Sequence, residues 1–275
     1  MKTTFLYAQL EVHDAAAEIW LNDVPLLRID DRTLRAPIEN VALDAWVIPS
    51  DNVFELVFEP GPTPSVARSQ TRRELLPKTA GALARIIQFE IGASGEAADG
   101  LVLAALSYPP QDTALPEVEV QLPISARTTV NLGPGSGRFR FQDAPLLADV
   151  NALRPEIDAV LEAMENAYRS GDVDALAALY EINQIEVMRA FPAFDQALMR
   201  TRLAANVGHY AKGPEPVRRD PALRDERLVA YGRLVECVDR DFEASFKLND
   251  PDGRGTASAP TFLGRDEHGR LRVFR

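Results

Sequence analysis

Residues 154–180 read RPEIDAVLEAMENAYRSGDVDALAALY. Ile157, Val160, Leu161, Met164 and Tyr168 recur at helical spacing, so one face of a helix is apolar. Ser170-Gly171-Asp172 breaks that pattern, and Asp172 is placed to cap a second helix carrying Val173, Leu176, Leu179 and Tyr180. Residues before this helix pair read as strands. Residues after it read as more helix and then as strands again. The expected architecture therefore has two domains: a jelly-roll-like, all-β sandwich over 1–145, and an α+β domain over 146–275 with helices first and a curved antiparallel sheet last.

Bulk properties agree with a soluble globular chain. Of 275 residues, 46% are hydrophobic and 26% charged, which is ordinary for a chain that buries a core without staples. The net charge of -11 argues against nucleic acid as a partner, because a phosphate backbone needs a basic face. Arg68, Arg72, Arg73 and Lys78 form the densest basic run, but no aromatic residues interleave with them. Cys237 is the only cysteine, which excludes an internal disulfide framework and zinc sites built on cysteine pairs. The opening carries Lys2 but too short an apolar run for a signal peptide, and no segment has the ~20 apolar residues of a membrane helix. A cytoplasmic protein that does not engage membranes is the expectation.

In the first half, strands are expected at residues 4–12 and in a hairpin across residues 17–29. Asn22-Asp23 forms its turn, and Pro25 places the second strand at a sheet edge. Val53 to Phe58 is apolar on both faces, as in a buried strand. Residues 60–80 read as a long loop. A hairpin pair at 82–91 and 100–108, joined by the loop from Gly92 to Gly100, precedes strands at Val118–Leu122, Thr128–Leu132 and Phe139–Phe141. The loop Gly133-Pro134-Gly135-Ser136-Gly137 has glycines enough to approach a phosphate, but the alternating residues after it read as a strand and not as the helix a phosphate loop needs. In the second half, helix is expected from Glu181 to Phe191 and again over 193–207, with Phe194, Leu198 and Leu203 inward. One long strand is expected from Leu228 to Val238, then a strand carrying Phe242, Ala244, Phe246 and Leu248. A closing hairpin joins Thr261–Leu263 to Leu271–Phe274 through the turn Arg265-Asp266-Glu267-His268-Gly269.

Two resemblances follow from these segments. EIWLNDVPL and PIENVALDAWVIPSDNVFELVF, with Asn22 in one turn and Asn52 before the last strand, resemble the galactose-binding-like β-sandwich used as an accessory domain in sugar-active enzymes; Asp23 stands where that pattern has glycine. AYRSGDVDALAALY and the final GRLRVFR are similar to the opening and close of the nuclear-transport-factor-like superfamily, which includes polyketide-cyclase-type and ketosteroid-isomerase-type proteins. This second resemblance covers roughly residues 153–275, and residues 181–210 depart from it by reading as helix. It implies a cone-shaped pocket between helices and curved sheet, with an inward carboxylate or histidine, and pairing of two copies through their sheets as a homodimer.

The candidate catalytic residues are Glu236, Tyr231, Asp239 and His209. Glu236 shares a face with Leu228, Ala230, Gly232 and Leu234 if the strand is continuous, and apolar pocket walls would raise its pKa. Its competing role is a strand-end carboxylate in water. His209 lies at a helix end, where a cation suits the dipole without any chemistry. Candidate ligand contacts are Tyr168, Tyr180, Trp20 and Trp46, each of which also suits core packing. His13, His209 and His268 are scattered, so no metal site is expected, and Asp250-Pro251-Asp252-Gly253 lacks the further acids of a calcium loop. Cys237 reads as a buried inert thiol. No nucleophile elbow is present and no motif implies a cofactor. The absence of a convergent catalytic set favours a non-enzymatic binding or interaction protein, whose ligand is a protein or a small molecule. The alternatives are a small-molecule enzyme of the cyclase or isomerase type and a carbohydrate-binding module in the first domain.

Overall fold

The computed structural model describes residues 4–30, 38–90, 99–110, 119–133, 137–253, 255–259 and 261–275. Expectations for Pro37, for most of the loop from Gly92 to Gly100, for Val118 and for residues 134–136 of the glycine loop lie outside them. The chain divides into two compact units. Unit 1 comprises 1–62 and 66–138; unit 2 comprises 63–65 and 139–275, so it begins ahead of the expected 145/146 boundary. Among the described residues, no helix is long and apolar enough to cross a membrane.

Unit 1 is antiparallel β. Strands β1 (Thr4–His13), β2 (Ala17–Leu21), β3 (Val24–Ile29), β4 (Ile38–Ala42), β5 (Asp51–Phe58), β6 (Arg72–Leu75), β7 (Gly81–Glu90), β8 (Leu101–Tyr108), β9 (Glu119–Leu122) and β10 (Ile124–Asn131) occur in that order. One four-stranded sheet has the order β4-β1-β7-β8 and another β10-β5-β2-β3, with β6 and β9 forming a separate pair. The two larger sheets contribute to one hydrophobic cluster. Leu6, Leu10 and Val12 of β1 meet Ile19 and Leu21 of β2 and Phe54, Leu56 and Phe58 of β5 there. Period-two burial along β1 is what a strand with one core face requires.

The Asn22-Asp23 turn is the expected one: both residues have positive φ, 54° and 64°, as a two-residue hairpin with mirror-image geometry demands. Asn22 also ties two turns together. Its Nδ2 donates to Asn52 Oδ1 at 2.8 Å and its Oδ1 accepts the Val53 N–H at 3.0 Å. β3 with Pro25 is at the sheet edge, where a missing N–H costs no ladder bond. Residues 60–80 are more ordered than a loop, since β6 pairs with β9 there. Within the expected basic run, Arg68 pairs with Asp23 and Glu55, and Arg72 with Glu59 and Glu74.

Among the described residues, unit 2 places its α-helices before its strands, with short 3-10 turns at Arg140–Gln142 and Pro221–Leu223. Helix α1 (Val150–Ser170) starts before the quoted stretch because Asp149 caps it, accepting the Asn151 N–H at 2.9 Å. Its buried stripe is Leu153, Ile157, Leu161, Met164, Ala167 and Tyr168. Gly171, at φ 69°, ends it in the left-handed conformation that favours glycine. Asp172 then caps α2 (Val173–Leu179) through the Ala175 N–H. Helices α3 (Glu181–Ala190) and α4 (Gln196–Tyr210) follow, the latter capped by Asp195.

The strands of unit 2 fall into two sheets rather than one curved sheet. β11 (Val217–Arg218), β14 (Phe246–Asn249) and β15 (Thr256–Ser258) have the order β11-β14-β15. β12 (Arg227–Val229), β13 (Leu234–Glu236), β16 (Phe262–Arg265) and β17 (Leu271–Val273) have the order β12-β13-β16-β17. The expected strand from Leu228 to Val238 is in fact a hairpin. Ala230, Tyr231 and Gly232 all take positive φ (53°, 56° and 78°) and reverse the chain. Phe139 to Phe141 is not a strand either. Both rings are buried and stack at 5.9 Å, and the Phe139 N–H is held by Gln142 Oε1 at 2.8 Å, which closes the turn. Side chains at i and i+2 sharing one side mimic strand alternation in the sequence.

Candidate functional site

The cleft of interest lies within unit 2, with a volume of about 560 Å³. Its walls are the segment from Arg140 to Pro145, the junction of α2 and α3 around Leu179 and Ile182, and the β16–β17 hairpin. Arg140, Arg265, Arg270 and Arg272 bring four guanidinium groups to it. Asp143, Glu181, Asp266 and Glu267 bring carboxylates.

Asp266 organises the hairpin wall. Its Oδ1 accepts the backbone N–H groups of His268 and Arg270, both at 2.9 Å, which fixes the turn that Gly269 completes at φ 74°. Its Oδ2 receives Arg270 Nε at 3.0 Å and Arg272 Nε at 3.4 Å. Burial alone would raise the Asp266 carboxyl, but the hydrogen bonds from Arg270 and His268 and the charge of Arg270 hold it at about 2. Arg265 is fastened to α1: Nη1 and Nη2 reach the two oxygens of Glu156 at 2.9 and 2.7 Å, a bidentate pair whose hydrogen bonds lower the Glu156 pKa.

Arg140 is positioned from behind by a buried carboxylate. Glu186 accepts the Arg140 backbone N–H through Oε1 and pairs with Arg275 through Oε2 at 3.2 Å. The Arg275 guanidinium lies 4.7 Å over the Phe139 ring. Burial pushes the Glu186 carboxyl up and the Arg275 guanidinium down to about 10, so Arg275 stays cationic at neutral pH.

None of the eight residues expected from sequence lines this cleft. Glu236 sits directly across the β12–β13 hairpin from Arg227, whose Nε lies 2.5 Å from Glu236 Oε2. The chain reversal at 230–232 removes the shared face with Leu228 and Ala230. Glu236 borders a smaller cavity of about 240 Å³ with Cys237, Phe242, Ser258 and Thr261. Tyr231 is exposed at the hairpin tip. Asp239 is buried and structural: its Oδ1 accepts the N–H groups of Asp241 and Glu243, and Arg219 Nε lies 2.7 Å from Oδ2. His209 ends α4, edge-on to Tyr210 and 3.9 Å from Asp250.

Tyr168 belongs to the core; its hydroxyl donates to Asn206 Oδ1 at 2.9 Å and burial pushes its pKa up to about 12. Tyr180 packs against the same cluster, and burial raises its hydroxyl too. In unit 1, Trp20 is buried with Nε1 donating to Glu18 Oε2 at 3.1 Å, and the Arg68 guanidinium covers its ring at 4.5 Å. Trp46 is partly buried against the unit 1 core. Cys237 is buried, which raises its thiol well above the ordinary value. Among the described residues, no group of three or more His, Cys, Asp or Glu is arranged to hold a metal ion.

Residue type and spacing do not single out Arg140, Arg265, Asp266, Arg270 and Arg272 as site residues. A signal did exist for two of them: Arg270 and Arg272 alternate in GRLRVFR and so share one face. Their convergence with Arg140 and Ile182 is tertiary. Comparison with protein-family models, with curated proteins and with solved structures gives no match.

Proposed function

We propose that the chain is a non-enzymatic binding protein, with a β-sandwich recognition module in unit 1 and a ligand cleft in unit 2. The observation that carries this reading is the chemistry of the cleft wall. Its central carboxylate, Asp266, has a pKa of about 2, far from the range a general acid or base needs at neutral pH. No Ser, Thr, Cys, Lys or Tyr is among the described residues that line it. Of the arginines there, Arg265 and Arg270 are held by carboxylates while Arg140 and Arg272 keep donors, which suits recognition of a charged group. A volume of about 560 Å³ suits a small molecule or a few residues of a partner chain.

The capped helix corner followed by antiparallel strands supports the nuclear-transport-factor-like likeness of unit 2. The helices α3 and α4 and the division of the strands into two sheets depart from it. The cyclase or isomerase alternative is weakened at its best residue, since the Glu236 carboxylate is paired with Arg227 where it borders the smaller cavity. To test the reading, the intact protein is incubated with a panel of small acids, amides and short peptides, and bound ligand is recovered and analysed. Recovery of unchanged ligand supports binding. Conversion that disappears in His268→Ala would replace this reading with an enzymatic one.

A further inference from the structure

Resting on that reading, we infer that the cleft binds one anionic group, a carboxylate or a phosphate monoester, through Arg140 and Arg272, with the ligand's apolar body against Leu179, Ile182 and Phe274. The inference comes from accounting for each cation. Arg265 has both terminal nitrogens on Glu156, and Nη1 also donates to the Gly269 carbonyl. Arg270 holds Asp266 Oδ2 with Nε and Nη2, each at 3.0 Å. Arg272 reaches that oxygen only through Nε, at 3.4 Å, and its two Nη groups make no hydrogen bond or ion pair among the described residues. Arg140 has no side-chain partner among the described residues, while its backbone is fixed by Glu186.

Asp266 answers Arg272 only through Nε, at 3.4 Å, because two backbone N–H groups and Arg270 share its oxygens, and it makes no bond to Arg140 among the described residues. Two guanidinium groups with donors to spare in one cleft match a planar carboxylate or a phosphate, which they bind with charge-assisted hydrogen bonds. The ligand carries a single anionic group and not several, because Asp143, Glu181 and Glu267 also line the cleft and would repel a polyanion. The apolar side of the lining is small, formed by Leu179 over the buried Ile182 and Phe274, and suits a short apolar body.

The test uses the full chain with three probes: 3-phenylpropionate, phenyl phosphate and the neutral 3-phenylpropanamide. Affinity is read by calorimetry and the site by amide chemical-shift changes. At least one anionic probe is expected to bind more tightly than the amide, with affinity falling as salt rises; which of the two binds better distinguishes a carboxylate source from a phosphate source. Arg140→Gln and Arg272→Gln should each weaken the anionic probe by about 10-fold or more, the range of a lost charge-assisted bond, and leave the amide unaffected. Arg272→Lys, which keeps the charge, should lie in between and guards against a folding defect in the glutamine variant. Equal binding of acid and amide, with shifts at Ile182 and Phe274, would overturn the anionic subsite and leave the cleft as a binding site. Silence of every cleft resonance toward all three probes and the wider ligand panel would overturn both.

Discussion

Arg224 lies in the interior of unit 2 and Arg272 in the wall of its cleft; both pair with carboxylates, in very different surroundings. Arg224 is fully buried, with Nη2 2.5 Å from Asp158 and Nε 3.1 Å from Glu226, itself fully buried and 3.6 Å from Arg154. Several of these atoms, including Arg224 Nη1 and both Glu226 oxygens, have no aligned hydrogen bond among the described residues. Such a cluster is held by Coulomb attraction at low dielectric, and losing one member strands a charge. Around Arg272 water competes, Asp266 is satisfied by backbone donors, and the guanidinium keeps donors for a visitor. The same residue types therefore serve cohesion in one place and recognition in the other, and burial decides which.

Five substitutions and one acid titration would break or sharpen that contrast. Arg224→Met should destabilise by about 3–5 kcal/mol in urea unfolding, because among the described residues Glu226 keeps its charge with Arg154 as its remaining ion-pair partner. A loss below about 1 kcal/mol would erase the distinction. Asp266→Ala should cost about 1–2 kcal/mol in the same measurement, since it removes the acceptor for two backbone N–H groups of a tight turn. The acid titration of the wild type reports on the same carboxyl. Its pKa is lowered on folding from the ordinary 3.8 to about 2, so its contribution is whole above 3.8 and lost as pH falls through 2. Melting temperatures of wild type and Asp266→Asn should thus converge across that window. Smallest of all, Arg140→Gln and Arg272→Gln should change stability by no more than about 0.5 kcal/mol, as for surface positions, while impairing ligand binding.

Local chemistry made much of the fold legible. Asn22-Asp23 tolerates the positive φ of a tight hairpin, and Gly171 with Asp172 marks the helix corner by a stop and a cap. The 230–232 reversal was hidden because Ala230 and Tyr231 are poor turn formers, and the apolar residues on either side read as one strand. The hairpin is closed by the pairs Arg227–Glu236, Leu228–Val235 and Val229–Leu234, a register that is invisible in one dimension. The cleft was illegible for a similar reason. Arg140, Ile182 and Arg272 are far apart in the chain, and the hydrogen bonds that place them run through Glu186 and Asp266. The candidates suggested by residue type, Glu236 and Asp239, carry a charge that a neighbouring arginine already answers.

The most direct test of the central claim is an amide-resonance titration of the full chain with 3-phenylpropionate, repeated with Arg272→Gln. The account predicts saturable shifts concentrated at Arg140, Ile182, Arg272 and Phe274 in the wild type, with the probe recovered unchanged, and a right-shifted titration in the variant. Shifts confined to unit 1 or to the cavity beside Glu236 and Phe242, or identical curves for the two proteins, would contradict it.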